Sequence, residues 1–242
     1  MIVGEKTHKL ILFDLDDTLF DYTKSFEAGM RQTIRQHRLS ADLDEDRFYR
    51  RLKAYSEELW PDLIENRISL QEYRHTRLVK TAAEWGRTVG EEESRDFQRM
   101  FLAACFEAIV PEPNVQACLH ELAADYRLGI VTNGPEDMAY TKVERLGIAH
   151  LFPRESIVIS EKVGHHKPDP RIFSAALEIF GLQPGETLFV GDNWEADVAG
   201  AMAAGMDAVW INPHKLAPPS GPVPYAVVER LVQLPALLAR PM

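Results

Sequence analysis

Cysteine is scarce in this chain of 242 residues: there are two, Cys105 and Cys118, and neither forms a C-x-x-C pair or stands at a metal-type spacing. A disulfide framework is therefore excluded. The apolar, helical-looking surroundings of both thiols fit buried side chains kept reduced. Long hydrophobic runs are also missing. No stretch reaches the roughly 18 apolar residues that a membrane span requires, and residues 1–9 carry polar and charged side chains where a secretory leader would be apolar. The chain reads as cytoplasmic, with no membrane partner. Positive charge is short as well: 27 Lys and Arg against 37 Asp and Glu leave a formal net charge of −10. Such a surface repels a phosphate backbone, so no nucleic-acid polymer is expected as a partner. There is no internal repeat, and the only biased segment is the Pro-rich stretch 217–224 (APPSGPVP).

What is present is an ordinary globular composition, 45% apolar and 26% charged, long enough to bury roughly 70% of the unfolded chain's surface without staples. Residues 9–13 (KLILF) form a short apolar burst followed at once by acidic residues, the pattern of a strand buried on both faces of a parallel sheet. The pattern returns at 127–131, 156–159, 187–190 and 208–211. Between these bursts lie segments of helical period, with Val115, Leu119 and Leu122 in one, Ile172, Ala176 and Ile179 in another, and Val198 and Met202 in a third. Strands alternating with helices predict an α/β fold, a doubly wound parallel sheet. Residues 22–104 break the alternation. Their apolar residues recur at three and four (Phe48, Leu52, Tyr55, Leu59; Leu78, Ala82, Trp85; Phe97, Phe101, Ala104), so this stretch reads as an inserted all-helical cap. The expected domains are a core of 1–21 plus 105–242 and a cap of 22–104.

In an open parallel sheet the ligand sits outside the carboxyl ends of the strands. Asp14, Asp16 and Thr18 follow the first predicted strand, Thr132 and Asn133 the second, Asp192 and Asp197 the fourth, and Lys167 lies in the loop after the third. Carboxylates crowded together raise one another's pKa unless a cation compensates. A divalent ion is the natural remedy. Mg²⁺ takes about six oxygen ligands, of which Asp14 and Asp192 are the obvious sources. Thr132, the backbone around Asn133 and Gly134, and the Lys167 ammonium offer donors to a tetrahedral anion. The inventory fits phosphoryl transfer.

Four stretches carry a resemblance. Asp14-Leu15-Asp16-Asp17-Thr18-Leu19, Thr132-Asn133-Gly134, Lys167-Pro168-Asp169-Pro170 and Gly191-Asp192-Asn193-Trp194-Glu195-Ala196-Asp197 resemble, in order and spacing, the four motifs of the haloacid dehalogenase-like hydrolase superfamily. The helical insertion is similar to that superfamily's C1 cap, and the remainder to its Rossmann-like core. The resemblance implies that Asp14 is the nucleophile, becoming an aspartyl-phosphate, and that Asp16 is general acid and base. It implies that Thr132, Asn133 and Lys167 hold the phosphate. Mg²⁺ would be held by Asp14, Asp192 and the Asp16 carbonyl, with Asp197 orienting Lys167 or a metal-bound water.

Asp16 discriminates further, because the dehalogenase branch needs no acid for a halide leaving group and no metal. The Asp-Asp-Thr-Leu-Phe start, Thr-Asn-Gly, and Gly-Asp-Asn with Trp210 and Asn212 beyond look most like the pyrimidine 5′-nucleotidase branch, as does Leu59-Trp60 followed by Asp62, Ile68 and Ser69. The expected activity is hydrolysis of a small phosphate ester, foremost a nucleoside 5′-monophosphate, by a monomer or homodimer. Competing readings are a phosphatase of sugar phosphates or phosphoglycolate, a phosphosugar mutase, a 2-haloacid dehalogenase and a non-catalytic phosphate-binding module. Trp60, ahead of an expected helix break at Pro61, is the aromatic that would select the leaving group. Asp17 and Glu195 read as solvated carboxylates, and His165 and His166 as loop residues. Asp169 and Pro170 read as the cap and first turn of a helix that aims Lys167. Gly164 and the segments 20–23 and 104–111 are the places where a hinge for closure is expected.

Overall fold

A computed structural model describes residues 8–239; most of the polar stretch 1–9, read above as unlike a secretory leader, lies outside the described residues. The chain divides into two compact units, one taking the chain up to Asp21 together with Val110 onward, the other Tyr22–Ile109. The first is built on six parallel strands: β1 (Leu10–Phe13), β2 (Arg127–Thr132), β3 (Ile157–Ile159), β4 (Thr187–Gly191), β5 (Asp207–Ile211) and β6 (Ala226–Val228). Their order across the sheet is β3-β2-β1-β4-β5-β6. This is the doubly wound α/β sheet expected from the alternation of apolar bursts and helical stripes. The central strands are buried along their whole length, which is why they read as unbroken apolar runs. Winding runs outward from β1 through β2 to β3 and then restarts at β4 on the other side of β1. That reversal opens a crevice at the carboxyl ends of β1, β2 and β4.

Helices α5 (Pro113–Ala123), α6 (Glu136–Arg145) and α8 (Pro170–Phe180) connect the strands, with the single turn α7 (Ser160–Val163) after β3. The α8 stripe buries Ile172, Phe173, Ala176, Leu177 and Phe180 against Leu10, Leu12, Val131, Val158 and Phe189 of the sheet. Ile179, which the periodicity had placed on this stripe, is half exposed, and Phe180 takes the inward position. Asp169 caps α8, accepting from the Arg171 N–H at 2.9 Å, and Pro170 occupies the first turn. β6 was not foreseen as a strand. It is three residues long, follows the Pro-rich segment and lies at the sheet edge with Val227 exposed, so it lacks the buried run that marks the other strands.

The second unit contains α1 (Tyr22–Gln36), α2 (Glu45–Ile64), α3 (Leu70–Ala83) and α4 (Glu91–Glu107). It ends at Ile109 because α4 runs on past residue 104. Phe48, Leu52, Leu59, Leu78, Ala82, Phe97, Phe101 and Ala104 form its buried face. Tyr55 and Trp85, read as part of that face, are only half-buried; the Tyr55 hydroxyl donates to Glu84 at 2.8 Å, and the Arg47 guanidinium lies 5.0 Å from the Trp85 ring centre. Pro61 does not break α2, which continues to Ile64. Near the C-terminal end a proline removes one backbone donor, and the Glu65 N–H still reaches the Pro61 carbonyl at 3.1 Å. No helix of the described residues is long and apolar enough to cross a membrane.

The close approach of α1 and α4 depends on Gly29, where an added Cβ would fall 2.5 Å from the Cys105 backbone nitrogen. Gly29→Val should therefore lower the unfolding free energy by about 2 kcal/mol, since two helix backbones must separate. Denaturant titration measures this; an unchanged midpoint would contradict so tight a crossing.

Candidate active site

Asp14, Thr132 and Asp192 stand where buried strands end. Asp14 follows β1, its N–H donating to the Val190 carbonyl at 2.9 Å, and it is 7% exposed. Beyond it the chain turns tightly. Asp17 takes a left-handed φ of 60°, strained for a residue with a side chain but best tolerated by Asp and Asn, and Asp16 bridges to Phe20. Asp17 itself is exposed, as is Glu195. Thr132 is the last residue of β2 and is buried, its hydroxyl accepting from the Gly134 N–H at 2.9 Å. Beyond β4, Asp192 lies at the rim, and the six-residue π-turn Trp194–Ala199 brings Asp197 back beneath it. Gly191 makes this return feasible: a Cβ there would lie 2.4 Å from an Asp197 carboxylate oxygen.

The loops converge. Oxygens of Asp14, Asp192 and Asp197 lie within 4.8 Å of one another. The Lys167 ammonium, 3% exposed, donates to Asp14 Oδ1 at 2.6 Å and to Asp197 Oδ1 at 2.7 Å. Asp197 also accepts from the Asn193 N–H at 3.0 Å, while the Thr18 hydroxyl donates to Asp192 at 3.1 Å and Trp210 Nε1 donates to the Asp192 carbonyl at 2.8 Å. Asn133, expected at the phosphate, has its side chain committed to the Lys167 backbone, donating to its carbonyl at 3.0 Å and accepting from its N–H at 2.8 Å. It thereby fixes the loop that carries Lys167. The Asp16 carboxylate stands outside the three-carboxylate group and is engaged instead by Lys142 of α6, whose Nζ lies 2.8 and 2.7 Å from its two oxygens. Trp60, on α2, is 40% exposed and meets the Tyr73 ring edge-on at 6.1 Å.

Lys142 is the site residue that motif reading missed. Its signal was a charge among the buried positions of an amphipathic helix, since Met138, Ala139 and Val143 beside it are all buried. A lysine with no exposure inside such a stripe requires a carboxylate partner.

The electrostatics follow from this crowding. Asp192 is pushed up to about 7 by burial and then by repulsion from Asp14 and Asp197, against the Thr18 hydrogen bond. Burial likewise pushes Asp197 up to about 6 despite the pull of Lys167. Burial works against the Lys167 charge, but Asp14 and Asp197 outweigh it and hold the ammonium above its ordinary range. Burial also raises Asp16, opposed by Lys142 and assisted by Asp14. Two ammonium groups among the carboxylates of Asp14, Asp16, Asp192 and Asp197 leave two negative charges over when all are ionised. Oxygen-only donors with an excess of two negative charges fit a hard divalent cation and not a softer, nitrogen- or sulfur-seeking one.

The haloacid dehalogenase-like hydrolase family model matches residues 8–205. A pyrimidine 5′-nucleotidase of Escherichia coli, YjjG, is 30% identical over 231 residues, covering 95% of this chain and 97% of the relative. A glyceraldehyde 3-phosphate phosphatase of Methanopyrus kandleri is 34% identical over 217 residues, 86% of this chain and 85% of the relative. In fold, the HAD-hydrolase YfnB of Bacillus subtilis, solved with magnesium, superposes with a TM-score of 0.80 at 23% identity over 96% of this chain and 99% of that one. On these matches the chain belongs to the haloacid dehalogenase-like hydrolase family. These two sequence relatives are named as a 5′-nucleotidase and a phosphatase, whereas a 2-haloacid dehalogenase of Pseudomonas syringae superposes with a TM-score of 0.72 at 28% identity over 96% of this chain and 98% of that one.

The raised Asp192 sets a pH dependence. A carboxyl raised in the folded state keeps its proton there between about pH 4 and 7 while the unfolded chain has lost it, so the cation-free fold loses stability as pH rises through that window. A bound cation requires the ionised form. Millimolar Mg²⁺ should therefore raise the melting temperature more at about pH 8 than at about pH 5.5, and Asp192→Asn should abolish the difference. Calorimetry decides; an equal or reversed effect would contradict the assignment.

Proposed function

We propose that this hydrolase is a Mg²⁺-dependent phosphomonoesterase that cleaves small phosphorylated metabolites through an aspartyl-phosphate on Asp14, with nucleoside 5′-monophosphates preferred. The observation that carries the reading is the Asp14 carboxylate, buried at a strand end and gripped on one oxygen by Lys167 at 2.6 Å. That bond orients the carboxylate for attack on phosphorus by its second oxygen. The bond from phosphorus to the ester oxygen then breaks, and Asp16 donates a proton to that oxygen. In the second half Asp16 takes a proton from the water that attacks the phosphorylated Asp14, releasing phosphate. Lys167 and Thr132 hold the equatorial oxygens as charge redistributes, and Asp197 and Asn133 keep Lys167 in place. When bound by the carboxylates of Asp14 and Asp192 and the carbonyl of Asp16, Mg²⁺ supplies charge neutralisation for the transferring group.

The helical unit Tyr22–Ile109 takes the role of the expected cap in this reading, with Trp60 as the aromatic proposed to select the leaving group. Identity to the E. coli nucleotidase over nearly the whole of both chains favours a nucleotide; the archaeal relative shares the phosphate end of the chemistry with a three-carbon substrate. A dehalogenase is disfavoured because halide departure gives Asp16 and its lysine partner no task. Buried, free thiols fit a cytoplasmic setting.

A panel of nucleoside 5′-monophosphates, glyceraldehyde 3-phosphate, sugar phosphates and phosphoglycolate, with and without Mg²⁺, tests this. Nucleotides should give the highest kcat/KM with stoichiometric phosphate release, and Asp14→Asn should lower it by about 10³-fold or more. Metal-independent turnover, phosphate retention on an isomerised sugar, or halide release from a 2-haloacid would each contradict the proposal.

A further inference from the structure

We propose that Lys142 is a positioning residue for Asp16, holding its carboxyl in the orientation that proton exchange with the leaving-group oxygen requires. The inference rests on the phosphatase reading above and adds a residue outside the four motifs. Lys142 has no exposed side-chain surface, whereas the Asp16 side chain keeps 20% of its own. The ammonium therefore approaches from inside the fold and is too enclosed to meet a substrate, while one side of the carboxyl stays open. A single Nζ within 2.8 Å of both carboxylate oxygens restrains both side-chain torsions of Asp16 at once.

Asp16 needs that restraint. It sits in a loop next to the strained Asp17, with no helix or strand of its own, and its side chain lies apart from the Lys167 network that orders Asp14 and Asp197. Lys142 is anchored on α6, whose flanking Met138, Ala139 and Val143 are buried. The helix thus carries rigidity from the core to a loop carboxyl. Burying an ammonium and ordering a four-carbon stem carries a desolvation and entropy cost that a hydrophobic side chain would avoid, so packing alone does not account for a lysine here.

The test uses the departing group as its readout. A phosphate ester of a simple alkyl alcohol needs a proton on the leaving oxygen, whereas p-nitrophenyl phosphate hardly does; kcat/KM reports the step in which that oxygen leaves. Lys142→Met should lower kcat/KM by about 10²-fold on the alkyl ester and only a few-fold on the aryl ester. Added to Asp16→Asn, it should cost less than about two-fold on either, because the residue it serves has already lost its function. Equal losses on both esters, or a full further loss in the Asp16→Asn background, would overturn the proposal and leave Lys142 a structural residue. If Lys142→Met does not fold, Lys142→Arg and the uncharged pair Asp16→Asn/Lys142→Met, measured against Asp16→Asn alone, carry the same comparison. A wild-type chain inert on both esters would overturn the phosphatase reading as well, which separates the two failures.

Discussion

Crowded negative charge at the carboxyl edge of a parallel sheet is the constraint on which this molecule is organised. Three carboxylates with oxygens within 4.8 Å of one another are unstable company in a buried setting, and the raised Asp192 and Asp197 record that cost. The protein meets part of it with two buried lysines. Lys167 binds Asp14 and Asp197 together, and Lys142 of α6 binds Asp16. The residual charge suits a hard divalent ion, which cancels it and so removes the repulsion that a tetrahedral anion would otherwise meet. Acidic groups that repel each other in the resting site are in this account the means of attracting the cation that lets a phosphate approach.

The fold supplies the rigidity such a cluster demands. Asp14 and Asp192 extend adjacent strands β1 and β4, whose paired residues include Phe13 and Val190, so their spacing is inherited from sheet geometry. Thr132 continues β2 on the other side of β1. Lys167, Asp197 and Lys142 come from outside the strand ends, and each is tied down: the first by Asn133, the second by the π-turn closing over Gly191, the third by the buried stripe of α6. Side chains held by a hydrogen-bonded sheet lose little further entropy on meeting a substrate.

The strands and motif residues were legible because each buried strand is an unbroken apolar run and each motif begins where that run stops. β6 was not, since a three-residue edge strand after a Pro-rich stretch has neither run nor stripe. Pro61 misled because proline's effect depends on its place in the helix, and near the C-terminal end only one donor is lost. Asn133 was legible as a site residue but not as a clamp on the Lys167 backbone, a pairing between loops 34 residues apart. Lys142 escaped because its partner is 126 positions away, and a lysine in a helix is ordinarily solvated. Local pattern reveals what a residue is next to in sequence; tertiary pairing decides what a buried charge is for.

The central claim is covalent: a carboxylate at the end of β1 becomes phosphorylated. Rapid quenching during turnover of a nucleoside 5′-monophosphate, followed by borohydride reduction and peptide mass mapping, reads it directly. An aspartyl-phosphate is reduced to homoserine, so the account predicts homoserine at position 14 and nowhere else. Unmodified Asp14 under steady turnover, or reduction at a different carboxylate, would contradict it.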